Sequence, residues 1–470
     1  MLRALYSGVS GLRVHQTKMD VIGNNISNVN TVGFKSSSVT FTDILYQTTQ
    51  SASGPNSTTG TVGKNAMQIG LGSSVGAIST NMSTGASQRT DNALDLMING
   101  DAFFVVNDGA QNYFTKAGSF TTDANGTLCT STGLAVMGWL PKEDGSGINV
   151  DTVKPLNVMS GDNLYTPPAA TTNAFLSGNI DPTDTQLATG RDVTIPIYDN
   201  IGNEYTVVLT LKRDTTATGS DTVFDVVISD IKDKDGNSIK STTTGGTTTT
   251  GYNFDLSATA GNGNNTGAGN TVGKLKFNGA TGAFESIEAG AAGTDKNSIY
   301  LNISGTPNPF STEGIMINFS ELTMYTTKGT STVEGARGTS SSDNTGSGKS
   351  VGNMTGISID QSGMIYGSYD NGDKKLLGQV AVATFANAAG LESVGNSLFS
   401  TTLNSGDFNG IGKDISSVGG SMTSGVLEMS NVDLAAEFTE LIVAQRGYQA
   451  NSRIISTSDT LLEELINLKR

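Results

Sequence analysis

The side chains that could do chemistry are few, and their spacing does not support it. There is one histidine, His15. A single histidine excludes HExxH zinc sites and multi-histidine metal centres. It would leave any Ser/His/Asp triad resting on a residue inside a helical pattern at the start of the chain, where a packed or solvated helix position is the plainer reading. Gly348-Lys349-Ser350 ends like a phosphate-binding loop, but the glycine required five residues before Gly348 is Asp343. Gly63-Lys64 is followed by Asn65 and preceded, at the same offset, by Thr58. Asp233 and Asp235 before Gly236 resemble part of a calcium loop, yet an EF-hand would need an Asp where Ile231 stands, so a surface β-turn is expected. The lone cysteine, Cys129, can form no internal disulfide. It reads as a small buried apolar residue, with intermolecular pairing formally open. No catalytic residue, cofactor or metal is expected, and the chain does not read as an enzyme.

What the sequence does organise is its two ends. From Ser430 to Arg470, apolar residues recur in steps of seven: Leu434, Leu441, Tyr448, Ile455 and Leu462. Ile454, Leu461 and Leu468 form a second series beside them. The N-terminus repeats the pattern with Leu5, Leu12, Met19 and Ile26, flanked by Leu2 and Val9. A seven-residue step drifts only ~20° around a helix, so each series is an apolar seam. Such seams pack helices lengthwise, within one subunit or between subunits. Gln16 falls in the series through Leu2 and Val9, where it either fixes register or lies on a solvated edge. Gly8, Gly11 and Gly23 interrupt the first helix, each costing about 1 kcal/mol relative to Ala. This helix is therefore expected to be poorly ordered until it finds partners. In Asn24 to Lys35 (NNISNVNTVGFK) the helix ends and turns, with Gly33 free to adopt a left-handed conformation.

Between the ends the pattern is β. The chain has 470 residues, 59 of them Gly, only 15% charged, with a net charge of −15. That balance disfavours nucleic acid and anionic membranes as partners. No stretch approaches the ~20 apolar residues of a membrane span, and no secretory signal follows Arg3 and Arg13. Residues 1–30 read as a core helix and 31–75 as a connecting segment without periodicity, including an exposed loop at 54–63. Residues 76–160 read as the first part of a β domain, with a hairpin signal at Asn99-Gly100 and Trp139 filling a core. Residues 161–330 read as a separate β unit. Val193, Ile195 and Ile197 alternate into a turn at Asp199 to Asn203, and Val207, Leu209 and Leu211 alternate back. The Thr/Gly tract Ser241 to Gly251 is expected to be a mobile loop. Residues 331–352 read as a linker and 353–425 as the returning β part, with a hairpin at Asn371-Gly372. Residues 426–470 are the last helix, opening at Ser430 with Asp433 three residues on, like a capping box. The expected fold is mainly β with terminal α-helices. It is nested: paired helices form a coiled-coil core, two flanking segments form one β domain, and an outer β domain is inserted.

These ends resemble the axial proteins of the bacterial flagellum, most closely the flagellar hook protein family. The resemblance lies in Leu2 to His15 (LRALYSGVSGLRVH), Met19 to Lys35 (MDVIGNNISNVNTVGFK) and Ser430 to Arg453. Asp95 to Val106 and Tyr113 to Leu128 look like the proximal β domain of hook and rod proteins, and Leu376 to Phe399 like its returning half. Tyr198 to Leu211 looks like the outer domain of hook proteins. The resemblance implies a structural subunit with no catalytic role. It would be exported through the flagellar type III apparatus and assembled under a hook cap protein, onto a rod protein, into a helical homopolymer. A hook-filament junction protein would join that tube to the filament. It implies a subunit interface on Leu5, Leu12, Met19 and Ile26 against Leu434, Leu441, Tyr448, Ile455 and Leu462, and a place at the hook and basal body outside the cell. A distal rod subunit shares the terminal motifs, but such a chain is expected to lack most of 161–330, so length favours hook. A secreted adhesin or surface-layer protein would need a signal or anchor, and a hydrolase a convergent polar site.

Overall fold

The computed structural model describes residues 2–55, 60, 62–142, 147–214, 222–241, 243–244, 247–248, 252–257, 272–289, 297–305 and 308–468. It is mainly β, with a long helix at each end, Leu2–Ser27 and Leu434–Asn467. At 1.5 Å per residue the 34-residue C-terminal helix is about 51 Å long. The chain divides into two compact units. One comprises 1–164, 356–368 and 374–470; the other comprises 165–355 and 369–373.

In the first unit the strand Phe103–Asn107 is central. It pairs with Asn112–Thr115, with Ala135–Trp139 and with Val382–Ala383, so distant segments close one sheet. An aromatic core forms on this sheet, with Phe103, Phe114 and Phe399 buried and Phe385 edge-on to both Phe103 and Phe114. Such T-shaped pairs place positive ring edges against negative faces. Trp139 is buried, and its indole N–H donates to the carbonyls of Asp151 and Ile411, 2.9 Å each. Cys129 is a free, half-buried thiol beside the hydroxyl of Thr121, less enclosed than a core residue.

Three local expectations are corrected. The hairpin at Asn99-Gly100 does not form. The chain turns there with Gly100 at φ +135°, but Leu96–Asn99 goes on to pair with Ser421–Ser424. Both apolar flanks are fully buried, so each found its own partner strand. The segment 31–75 is not irregular. Ser37–Asp43 pairs with Ser73–Thr80 and Tyr46–Gln50 with Met67–Gly70, making a two-stranded ribbon. Its residues are exposed or half-buried on both faces, so no apolar alternation marked it. Part of the loop at 54–63 lies outside the described residues. Finally, the last helix is capped by Asp433, not opened at Ser430. The Asp433 carboxylate accepts from the N–H groups of Ala435 and Ala436, and Val426–Glu428 before it is a strand paired with Ser87–Arg89.

The second unit has two five-stranded sheets sharing one apolar core. In one sheet Arg191–Tyr198 and Glu204–Arg213 form the expected hairpin, with Val193 opposite Leu209 and Ile195 opposite Val207. Val223–Asp233, Gly273–Phe277 and Phe284–Ala289 complete it. The other sheet places Asn173–Asn179 between Ile315–Thr323, which runs parallel to it, and Glu334–Arg337, which runs antiparallel. The segment expected as a linker, 331–352, therefore contributes a sheet strand, and Ser331 and Val333 are buried. Its Ser/Gly/Thr composition hid a strand whose backbone, more than its side chains, makes the contacts. Most of the tract from Ser241 to Gly251 lies outside the described residues.

The turns of both units share one device. Asp123, Asp199, Asp233 and Asp360 each accept hydrogen bonds through Oδ1 from backbone N–H groups two and four residues on, before a glycine at positive φ. Asp233 is thus a turn residue, as its spacing suggested, and no cluster of metal-ligating side chains occurs among the described residues.

Candidate assembly interface

The two terminal helices pack against each other antiparallel. The sense of the pairing is fixed by contacts along their length. Gly8 lies against Ile455 and Asn451, Gly11 against Asn451, and His15 against Gly447. Lys18 pairs with Glu440 at 3.0 Å, and the Asn25 amide donates to Glu437 Oε1 at 2.9 Å. Read off in order, the N-terminal residues 8, 11, 15, 18 and 25 follow the three-four step of a heptad seam.

This is not the seam formed by the large apolar residues. Leu5, Leu12, Met19 and Ile26 are half-buried, one position round the helix from the line of closest approach. On the partner helix Leu441, Ile455 and Leu462 are half-buried on the facing stripe, while Leu434 and Tyr448 are 39% and 38% exposed. Gln16 is exposed, the solvated-edge alternative. Two of the glycines read as defects, Gly8 and Gly11, permit the contact, together with Gly447. A Cβ on Gly11 would sit 2.6 Å from the Asn451 amide nitrogen, and one on Gly447 would sit 2.5 Å from the His15 ring. The signal for this seam was present in the sequence as Gly, Ala, Ser and Asn at heptad spacing (Gly8, Gly11, Ala444, Asn451, Ser458). Attention to large residues alone passes over it.

Polar groups close the end of the helix pair. Asn25 is buried and uses both ends of its amide. It donates to the Ser37 carbonyl at 2.8 Å and to Glu437, and accepts from the Ser37 N–H at 3.0 Å. Burial raises the Glu437 pKa, and the nearby carboxylates of Glu440 and Asp433 add to this against the opposing pull of Asn25 and Lys18. Burial, with Lys18 beside it, lowers that of His15. Just beyond, Lys35 and Glu428 form a fully buried ion pair at 2.6 Å. Lys35 also donates to the Ser83 carbonyl, and the Gly85 N–H donates to Glu428. Asn431 accepts from the Ser36 N–H and donates to the Asn81 carbonyl. Gly33 has φ +68°, and a Cβ there would meet the backbone of Ala117 at 2.5 Å, so the turn after the helix requires glycine. The run NNISNVNTVGFK is thus a staple that joins the start of the chain to residues 428–437 and to the β core. A buried pair of this kind gives little net stability, but removing one partner strands the other's charge.

The same helices leave large apolar side chains uncovered. Phe438, Ile442, Val443, Leu461, Leu465 and Ile466 are each 48–67% exposed, and Tyr6 on the N-terminal helix is 71% exposed. The ribbon adds exposed Leu45, Tyr46 and Met67. An apolar face this extended marks an interaction surface. Among the described residues no helix is long and apolar enough to cross a membrane.

Three family profiles match segments of this first unit or its edge. They are the flagella basal body rod protein over residues 5–35, the flagellar hook protein FlgE/F/G D1 domain over 97–167, and the flagellar basal body rod FlgEFG protein C-terminal region over 423–468. Among curated proteins, the flagellar hook protein FlgE of Borreliella burgdorferi is 33% identical, with the whole of each chain covered. That of Treponema pallidum is likewise 33% identical over the whole of both chains. The flagellar basal-body rod protein FlgG of Bacillus subtilis is 29% identical, also over the whole of both chains. The higher identity to the hook proteins favours hook over rod. The chain belongs to the flagellar hook protein family.

Proposed function

We propose that the chain is the structural subunit of a flagellar hook, polymerising into a flexible tube that acts as a universal joint and passes torque from rod to filament. The observation that carries this reading is the uncovered apolar face of the terminal helices. Burying one such Leu, Ile or Phe side chain contributes roughly 1.5–3 kcal/mol. Six such side chains supply a contribution of the same order as the cost of bringing two copies together. In this reading Leu5, Leu12, Met19 and Ile26 with Leu434, Leu441, Tyr448, Ile455 and Leu462 belong to the core interface of the tube. Their half-buried edges are completed by neighbours. The helices form a coiled-coil core, the flanking segments one proximal β domain, and the middle of the chain an inserted outer β domain. The subunit leaves by flagellar type III export, and its partners are the rod protein, the hook cap protein and the hook-filament junction protein.

A distal rod subunit is the second reading, favoured by the full-length similarity to the Bacillus subtilis rod protein. Electron microscopy of the full-length chain under polymerising conditions tests both. Curved tubes that straighten and bend support the hook, and straight rigid ones the rod. A chain lacking 1–30 and 430–470 is expected to stay monomeric. Equal polymerisation of that trimmed chain overturns the assignment of the helices.

A further inference from the structure

Six Asn-Gly pairs occur in the chain, and five lie among the described residues. Such a pair can close on itself. The glycine backbone nitrogen attacks the asparagine side-chain carbon, and glycine has no side chain to block the approach. The fold must leave three things open: the glycine N–H, the asparagine amide and a path for water. Four of the five pairs are closed. The Gly126 N–H donates to the Asp123 carbonyl at 3.0 Å, and the Gly372 N–H to the Tyr369 carbonyl at 3.1 Å. Asn99 lies in a strand opposite Ser421, and its amide donates to the Thr423 hydroxyl at 2.9 Å. The Asn278 side chain accepts from the Ala280 and Thr281 N–H groups while its carbonyl accepts from Gly282 at 2.7 Å, so that turn is held on both sides.

Asn409-Gly410 differs from all four. Asn409 is exposed, and neither its amide nitrogen nor the Gly410 N–H makes a hydrogen bond among the described residues. Gly410 has φ +78°, and a Cβ there would meet no atom within 4 Å, so the approach is open. The one contact of the Asn409 side chain assists the reaction: its Oδ1 accepts from the Ile411 N–H at 3.1 Å, which draws electron density from the carbonyl carbon. The backbone on either side is anchored. The Phe408 ring lies edge-on to Phe114 with centroids 5.3 Å apart. The Gly410 carbonyl accepts from the Val153 N–H, and the Ile411 carbonyl from the Trp139 indole N–H, 2.9 Å each.

We infer that Asn409 is a site of spontaneous covalent modification, where the folded chain deamidates in preference to its other described Asn-Gly pairs. The Gly410 nitrogen bonds to the Asn409 side-chain carbon and passes its proton to the amide, which leaves as ammonia. Water then opens the five-membered ring at either carbonyl. One opening gives aspartate; the other gives isoaspartate, with the main chain running through the former side-chain carbon. No oxidant, reductant or cofactor enters. Both products add a negative charge. Isoaspartate also adds a methylene to the main chain between the anchored Phe408 ring and the Ile411 carbonyl, so it displaces that carbonyl from the Trp139 indole. The inference is independent of the assembly reading.

The test holds the full-length chain at mildly alkaline pH in water labelled with heavy oxygen, then reads each Asn-Gly peptide by mass spectrometry. Trp139, the only tryptophan, reports the loop by its fluorescence. In the folded chain the Asn409 peptide should take up label about tenfold faster than the Asn371 peptide, the factor by which one hydrogen bond keeps a site closed. In denaturant the rates should converge, because the selection lies in the fold and not in the dipeptide. Trp139 fluorescence should change in step with isoaspartate. Asn409→Gln should keep both the starting spectrum and the thermal unfolding while abolishing that change. If Asn409 converts no faster than Asn371 in the folded chain, or if denaturant leaves the order of rates as it was, the site is overturned. If Asn409 converts first but the Trp139 signal stays constant, the modification stands and its coupling to the Trp139 anchor is overturned.

Discussion

The sandwich of the second unit and the helix pair of the first are built on opposite principles. In the sandwich, Val193, Ile195, Leu209, Phe224, Leu301 and Phe319 are buried by the chain itself, and every apolar stripe meets another. In the helix pair the closest contacts are made by Gly8, Gly11, His15, Gly447 and Asn451 with Ile455, and although Val14 and Ile22 are buried, many of the other large apolar residues stay half-covered or exposed. The sandwich is finished by its own sequence. The helices spend their small and polar residues on each other and keep their bulky ones for neighbours. A region that must stay soluble alone and bind firmly in company has to withhold apolar surface in this way, and the withheld surface shows where assembly occurs.

The sharpest way to break this comparison is to place charge on the withheld face. Ile442→Asp with Leu465→Asp should abolish tube formation in electron micrographs, because each buried carboxylate would lose its water without gaining a partner. The monomer's thermal unfolding should be unchanged, since both positions are exposed. Leu441→Asp, on the half-buried stripe, should also abolish tubes while sparing the β regions. Normal tubes from either variant would refute the division of labour. The reverse experiment strikes the sandwich. Leu209→Ala, at a fully buried site, should cost the second unit about 2–5 kcal/mol in denaturant unfolding. Helix pairing, read from the same monomer by helical circular dichroism, should stay as it was.

The glycines of the first helix refine the comparison further. Gly23 has nothing within 4 Å of a Cβ, so Gly23→Ala should add about 1 kcal/mol of helix stability. Gly447→Ala puts a methyl against the His15 ring and should loosen the pair instead. Equal responses at the two sites, measured by helix melting, would mean that the small-residue seam does not hold the helices together.

Much of the sandwich was legible because its signal is local. Alternation at Val193 to Ile197 and at Val207 to Leu211, split by an aspartate-glycine turn, specifies a hairpin without knowledge of what lies beyond it. The turn at Asp233 was legible for the same reason. What could not be read depended on distant partners. Leu96–Asn99 chose Ser421–Ser424 over its neighbour, and Glu334–Arg337 joined a sheet through its backbone ladder with Asn173–Asn179 and the stacking of Arg337 on Tyr198. The ribbon over 37–80 has no buried face of its own to write a pattern. At the interface the heptad period was readable at both ends, but its phase was not. Phase depends on how closely two backbones approach, and that is set by glycines whose effect exists only once a second helix is present.

The finest distinction between the two regions is the sign of their response to pH. In the sandwich, burial of Asp181 opposes its ionisation, but hydrogen bonds from Thr183, Thr327 and Gly329 outweigh it and hold the carboxyl well below the usual carboxylate range. Asp233 is lowered by the N–H and amide of Asn237 and by the Asp235 N–H. A depressed carboxyl pKa means the unfolded chain binds more protons as pH falls, so this stability is full at neutral pH and is lost on acidification through the folded value. Glu437 at the helix pair is shifted the other way, by burial first. There the folded state holds the proton more tightly, so its contribution is full below the ordinary glutamate value and falls as pH rises through the raised one. Lys116, buried against Phe103 and donating to the Gly100 carbonyl, is lowered to about 8 by burial. Between about 8 and its ordinary value the unfolded chain binds the extra proton, so the first unit should gain stability as pH rises across that window. Acidification should therefore strengthen the helix junction first, as pH falls to the ordinary glutamate value, and weaken the sandwich only below the ordinary aspartate value, as followed by hydrogen exchange of each region in the same sample. Glu437→Gln should abolish the helix response and keep the Asn25 contact. Lys116→Met should flatten the alkaline rise. Parallel responses in the two regions would mean that one cooperative unit titrates as a whole, and the contrast between a self-completed sandwich and a partner-completed helix pair would fail.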